Sequence, residues 1–155
     1  MPGPPSLADL LAAGRLERIT ADPAAARDRI ARARRHLATA RKLVDDADTT
    51  KGSDPFDADV VLTTCYDAAR QAISAHALAH GLRATGAPGH HAAVGAYGVD
   101  QLGGPATTRF DAMRRRRNTI EYGDAIVGEA EARAALAHAT AIVDAVDTSL
   151  SSAGL

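Results

Sequence analysis

Pro23-Ala24-Ala25-Ala26-Arg27-Asp28-Arg29-Ile30-Ala31-Arg32-Ala33-Arg34-Arg35-His36-Leu37-Ala38-Thr39-Ala40-Arg41-Lys42-Leu43-Val44 places Ile30, Leu37 and Val44 seven residues apart, with Ala33, Ala40 and Ala47 beside them. A seven-residue apolar repeat returns to one face of an α-helix and to alternating faces of a strand, so the stretch reads as helix. Asp22 ahead of Pro23 supplies an N-cap followed by a first-turn proline. The helix is expected to run from Pro23 to about Asp48, where Lys51-Gly52-Ser53-Asp54-Pro55 breaks it.

Working outward, the rest of the chain repeats this grammar. Ser6 with Asp9 forms a capping pair for a short helix over Leu7 to Ile19. A second long helix is expected from about Asp57 to Arg83, turning Val60 or Val61, Thr64, Ala68, Ala72, Ala75 and Ala79 toward its neighbours. Gly86-Ala87-Pro88-Gly89 reads as a turn, and His90 to Leu102 as a shorter helix ended by Gly103-Gly104-Pro105. Thr107 or Thr108 would open the next helix, which Gly123 would stop in a left-handed conformation after Tyr122. A last helix spans roughly Glu129 to Ser149 with Ala135, Leu136, Ile142, Val143 and Val146. No stretch alternates with period two. The expected fold is all-α: an antiparallel bundle of four to five main helices with a short N-terminal helix. Residues 1–22 form a tail and that short helix, 23–150 the helical domain, and 151–155 a C-terminal tail.

A chain of 155 residues can bury a core without metal or disulfide staples. The one cysteine, Cys65, forbids an intrachain disulfide. No basic region followed by an apolar run opens the chain, and no segment approaches the ~20 apolar residues of a membrane span, so the expectation is a cytoplasmic protein without a membrane partner. The formal net charge of -1 argues against general coating of nucleic acid. That balance conceals basic segments at Arg29 to Lys42 and Arg109 to Arg117 and an acidic one at Asp45 to Asp59. With aromatics at 3% and no tryptophan, base-stacking platforms are not expected.

One stretch resists this plain reading: Arg114-Arg115-Arg116-Arg117-Asn118-Thr119-Ile120-Glu121-Tyr122. Successive helical residues turn by about 100°, so four arginines cannot all face solvent. Arg117 shares a stripe with Phe110, Met113 and Ile120. An arginine there needs a carboxylate, or an interface or cleft that receives an anion. Arg117 with Glu121 and Arg114 with Asn118 are spaced i, i+4, so a surface ion pair absorbs part of the charge. Other features have simpler readings. His76 and His80 share one helix face but lack a third ligand, Cys65 reads as a small packed residue, and His90-His91 reads first as a loop and capping feature, with a general base arriving from there as the alternative. The arginines of the first long helix read as a solvated basic face with intrahelical ion pairs. Walker and dinucleotide phosphate loops are absent, as is the Gly-x-Ser-x-Gly elbow, so no cofactor is expected.

The helical layout, the pattern Cys65-Tyr66-Asp67-Ala68-Ala69-Arg70-Gln71-Ala72-Ile73-Ser74-Ala75-His76-Ala77-Leu78, the Gly86 to His91 loop and the late Arg117-Asn118-x-x-x-Tyr122 together resemble a HEPN domain over Pro23 to about Ser149. Many members of that family are metal-independent ribonucleases acting as dimers, some of toxin or defence type. Their motif is an arginine, a polar residue and a histidine four to six positions after the arginine. Arg117 and Asn118 match the first two, and Tyr122 stands where the histidine would be.

Metal-free RNA cleavage needs a group to take the 2'-hydroxyl proton and groups to stabilise the phosphorane. Arginine binds phosphate through paired hydrogen bonds, whereas tyrosine, with a reference pKa of about 10, is a weak base at neutral pH. The resemblance therefore implies Arg117, Asn118 and Tyr122 as catalytic candidates and Arg114, Arg115, Arg116 and Glu121 as RNA- or phosphate-binding candidates, with no metal. The expected partners are RNA or a nucleotide phosphate and a second copy of the chain, in a homodimer whose interface includes the Phe110 to Tyr122 helix. The alternative is a non-catalytic, antitoxin-like module whose arginines meet an acidic protein partner.

Overall fold

The computed structural model describes residues 3–49, 56–86, 88–123 and 126–155. Within them lie six helices and one two-stranded sheet: α1 (Leu7–Ala12), β1 (Leu16–Arg18), α2 (Pro23–Thr49), α3 (Ala58–Ala79), β2 (Leu82–Ala84), α4 (His90–Leu102), α5 (Gly104–Tyr122) and α6 (Glu129–Ser152). The architecture is the expected all-α bundle with a short N-terminal helix. Ser6 and Asp9 close a reciprocal capping box on α1, and Asp22 accepts from the Ala25 amide at 2.9 Å to open α2. The expected break at Lys51 to Pro55 lies outside the described residues.

α3 is the central element. It packs most extensively against α2 on one side and α6 on the other. Its small residues Ala68, Ala69, Ala72 and Ala75 are fully buried, which lets neighbouring backbones come close. Ile30, Ala33, Leu37, Ala40 and Val44 of α2 are all buried, so the seam read from the repeat is the seam that packs. On α3 it is Val61 that enters the core, while Val60 stays 43% exposed. Arg29, Arg32, Arg35 and Arg41 of α2 are exposed as expected and Lys42 pairs within the helix with Asp46, but Arg27 and Arg34 depart from that solvated face. Arg27 reaches Asp147 at 2.6 Å, and Arg34 reaches Asp144 and Asp147 at 3.0 and 2.7 Å, so these pairs tie α2 to α6. Asp48 pairs with Arg133 at the opposite end, which sets α2 and α6 antiparallel.

Two expected helices are shorter than the sequence suggested. The one over Leu7 to Ile19 stops at Ala12, and the one to Arg83 stops at Ala79, because Leu16–Arg18 and Leu82–Ala84 pair as an antiparallel ladder with Leu16 opposite Ala84. Gly81 makes the turn into β2: its φ is +73°, and a Cβ there would lie 2.8 Å from the Ile19 carbonyl oxygen. α5 begins at Gly104, earlier than the expected Thr107 or Thr108, with Pro105 in its first turn. Thr107 turns its hydroxyl back to the Gly103 carbonyl at 2.6 Å and caps nothing. Gly123 ends the helix after Tyr122 as anticipated, but with φ -150° and ψ 178°; the stop is extended rather than left-handed. α6 runs on to Ser152 and takes up the start of the expected tail. No helix among the described residues is long and apolar enough to cross a membrane.

Candidate functional site: an open cleft between α4 and α5

α4 determines where the site lies. Gly95 and Gly98 sit where a Cβ would come within 3.1 Å of Phe110 Cδ1 and Ile73 Cδ1 respectively, so their hydrogens let α4 lie flat against α5 and α3. Tyr97 is buried between them and hydrogen-bonds His76 Nδ1 at 2.8 Å. Ser149 lies 3.2 Å from the other ring nitrogen of His76, and burial pushes the histidine down to about 4. The His76–His80 pair considered as a partial metal site is therefore a packed stack with centroids 4.4 Å apart, its buried member held by α4 and α6. Cys65 is buried as expected, and desolvation pushes its thiol up to about 12.

With α4 fixed, its first turn faces the last turns of α5 across an open cleft of about 350 Å³. The walls are Gly89, His90, His91 and Ala92 on one side and Arg114, Arg117, Asn118, Glu121 and Tyr122 on the other. Five of the seven site residues expected from the sequence thus come together. Arg115 and Arg116 do not. Arg115 points outward to Asp111 at 2.9 Å, and Arg116 turns to α6, with Glu131 at 2.6 Å and the Ile126 carbonyl at 2.7 Å. These partners use up Arg116 as an interhelical brace.

Arg117 answers the demand of its stripe in two ways. Its Nη2 pairs with Glu121 at 2.7 Å, and its guanidinium lies 5.4 Å from the centre of the Tyr66 ring. Glu121 therefore neutralises the arginine rather than offering an anion a contact. Arg114 engages Asp111 through Nε at 2.8 Å, which leaves its two terminal nitrogens for other partners. The side chain of Asn118 and the hydroxyl of Tyr122 make no hydrogen bond among the described residues, and Tyr122 is 88% exposed. The cleft is thus lined by donors whose capacity the protein itself does not fill.

His90 and His91 also line the cleft, and His91 is the one built into its wall. Its Nδ1 lies 2.5 Å from the Tyr66 hydroxyl, the two rings lie nearly parallel and end to end with centroids 5.9 Å apart and 16° between planes, and Tyr66 in turn stacks on buried Phe110 at 5.2 Å. Arg117, Tyr66 and His91 form one contact set drawn from three helices. Partial burial, with Arg70, His90, Arg117 and Arg114 nearby, holds His91 below the ordinary histidine value. Burial pushes Tyr66 up to about 12, against the opposing pull of Arg70, Arg117 and Arg114. The available signal was the His90-His91 pair directly after Gly86-Ala87-Pro88-Gly89, but nothing local tied it to a contact 25 residues away.

On its other flank Arg117 borders a second open cleft with His36, Thr39, Thr63, Thr64 and Asp67. His36 Nδ1 is 3.1 Å from Asp67 Oδ2 yet forms no aligned hydrogen bond, and Asp67 is already held by Arg70 at 2.6 Å. A better enclosed, mainly apolar pocket of about 270 Å³ lies beneath the β1–β2 ladder and contains none of the expected site residues. Comparison with protein-family models, with curated proteins and with solved structures returns no match for this chain.

Proposed function

We propose that this is a HEPN-like protein that binds RNA or a nucleotide phosphate in the α4–α5 cleft, works as a homodimer, and is equipped for metal-independent RNA cleavage of the toxin or defence type. The observation that carries the reading is the convergence of Arg114, Arg117 and Asn118 on one open cleft with donor groups left over. A phosphate group, whether an RNA phosphodiester or a terminal nucleotide phosphate, accepts several hydrogen bonds from two guanidinium groups, and Arg117 can exchange Glu121 for it without losing its seat on Tyr66. Tyr122 at the cleft and Ile126 just beyond the end of α5, both 88% exposed, supply apolar surface for a second copy to cover.

Binding of a labelled single-stranded oligoribonucleotide, followed by fluorescence anisotropy across a salt series, tests the reading. The logarithm of affinity should fall with the logarithm of salt concentration, and each of Arg114→Ala and Arg117→Ala should make the slope shallower by about 0.7. No salt-dependent RNA affinity in the wild type would end this reading. Light scattering at micromolar concentration checks the dimer, for which a monomeric mass is the contrary result. The same exposed Tyr122 and Ile126 also favour the protein-partner reading. Co-purification of one defined acidic partner, together with absent RNA affinity, would select it.

A further inference from the structure

The family-like motif on α5 lacks its proton acceptor, and the Tyr122 hydroxyl that replaces it is solvated and unsupported. The cleft contains a different group with the geometry for that task. We propose that His91, arriving from the first turn of α4, takes the 2'-hydroxyl proton during RNA cleavage in this cleft, and that Tyr66 is its positioning residue. This rests on the phosphate-binding reading above and names the proton-transfer residue of that site.

Three features support the assignment. First, His91 lines the same cleft as Arg114, Arg117 and Asn118, so a phosphodiester held by the arginines brings its ribose to the histidine's side. Second, Nδ1 is occupied by Tyr66, so Nε2 is the nitrogen left for a ligand; it has no hydrogen-bond partner among the described residues. A base whose second nitrogen is held by a third group has a fixed ring orientation, the arrangement that proton-transfer sites require. Third, Tyr66 is itself pinned, with Phe110 beneath it and the Arg117 guanidinium over its face. The base and the phosphate-binding arginine therefore share one rigid support.

The step balances within the site. With Nδ1–H donating to the Tyr66 oxygen, Nε2 carries the lone pair and removes the 2'-hydroxyl proton. The 2'-oxygen bonds to phosphorus, the bond from phosphorus to the 5'-oxygen breaks, and the leaving oxygen takes a proton from solvent. The products are a 2',3'-cyclic phosphate and a 5'-hydroxyl end. Arg114 and Arg117 offset the charge that develops on the phosphorane oxygens. Tyr66 stays protonated near neutral pH and accepts from the imidazolium as it forms. The groups facing His91 are Tyr66 and Arg70 from α3, Arg114, Arg117, Glu121 and Tyr122 from α5, and His90 from its own helix. The arginines among them favour the neutral ring, which is the form a base needs.

The test is a cleavage assay in EDTA on a labelled oligoribonucleotide, with RNA affinity measured in parallel, for wild type, His91→Gln, His91→Asn, Tyr66→Phe and His36→Gln. The wild-type rate should rise with pH through one ionisation below 6.5 and then level off. Both His91 variants should lose at least about 100-fold in rate while binding RNA as the wild type does. Tyr66→Phe should bind normally, cleave more slowly and move the midpoint of the pH profile, and His36→Gln should cleave at the wild-type rate. Using glutamine and asparagine at position 91, with melting curves for each, separates lost chemistry from lost folding. Undiminished cleavage by either folded His91 variant would overturn the assignment. Loss confined to His36→Gln would also overturn it. Wild type that binds RNA through Arg117 and leaves it intact would overturn the assignment alone, whereas wild type without RNA affinity would overturn the phosphate-binding reading as well.

Discussion

Acidification should weaken this fold through His76, and the size of the effect follows from how the residue is held. His76 is 4% exposed, with one ring nitrogen 2.8 Å from Tyr97 Oη and the other 3.2 Å from Ser149 Oγ. Burial, reinforced by His80 stacked 4.4 Å away, takes it from 6.5 down to about 4. A histidine whose folded value is depressed stays neutral in the native state while the unfolded chain takes up a proton. Its contribution is therefore intact above pH 6.5 and is lost progressively as the pH falls toward 4. At about 1.4 kcal/mol for each tenfold change in proton affinity, that interval is worth about 3 kcal/mol. Urea unfolding of wild type and His76→Gln at several pH values from 7.5 to 4 isolates the term, because glutamine keeps a polar group near Tyr97 and Ser149 but cannot titrate. The wild-type advantage over the variant should shrink by about 3 kcal/mol across the range. Parallel profiles, or a wild type that gains on the variant in acid, would refute the reasoning.

Two further outcomes separate structural from functional residues. Arg116→Gln, which removes the tie from α5 to Glu131 and the Ile126 carbonyl, should lower the melting temperature and leave RNA affinity unchanged, whereas Arg117→Gln should weaken RNA binding; equal losses of affinity would show that net charge alone is being read. Gly81→Ala should cost about 1–3 kcal/mol in chemical unfolding, since φ is +73° and the new Cβ would lie 2.8 Å from the Ile19 oxygen, and a neutral substitution would mean that the turn relaxes freely.

His76 also connects stability to the cleft. Its bond to Tyr97 anchors the middle of α4, and α4 carries His91 at its first turn. An acidic shift that loosens this anchor reaches the site without any titration of the site's own groups. This is one reason the His91 variants are best compared near neutral pH, where His76 is neutral in folded and unfolded chains alike.

The amino-acid sequence by itself determined the helices. The seam of Ile30, Leu37 and Val44, the Ser6–Asp9 and Asp22 caps, and the stop after Tyr122 all depend on neighbours within a few residues, and local periodicity and capping chemistry report such contacts directly. It also marked Arg117 as the member of the arginine run that needed a partner, and Glu121 at i, i+4 was the partner already in view. Tertiary structure decided the rest. The β1–β2 ladder joins Leu16 to Ala84 through strands of three residues, too short for alternation to register and separated in sequence by the whole of α2 and α3. Arg27 and Arg34 find their carboxylates on α6, over a hundred residues away, where a sequence window sees only a basic face. The same limit left the choice between His90 and His91 open. Position 122 could be read as a tyrosine where a proton acceptor was expected, but the 2.5 Å contact of His91 with Tyr66 exists only because Gly95 and Gly98 let α4 fold down onto α3 and α5. Helix formation is decided by bonds four residues apart, while a cleft is decided by which helix faces close on one another.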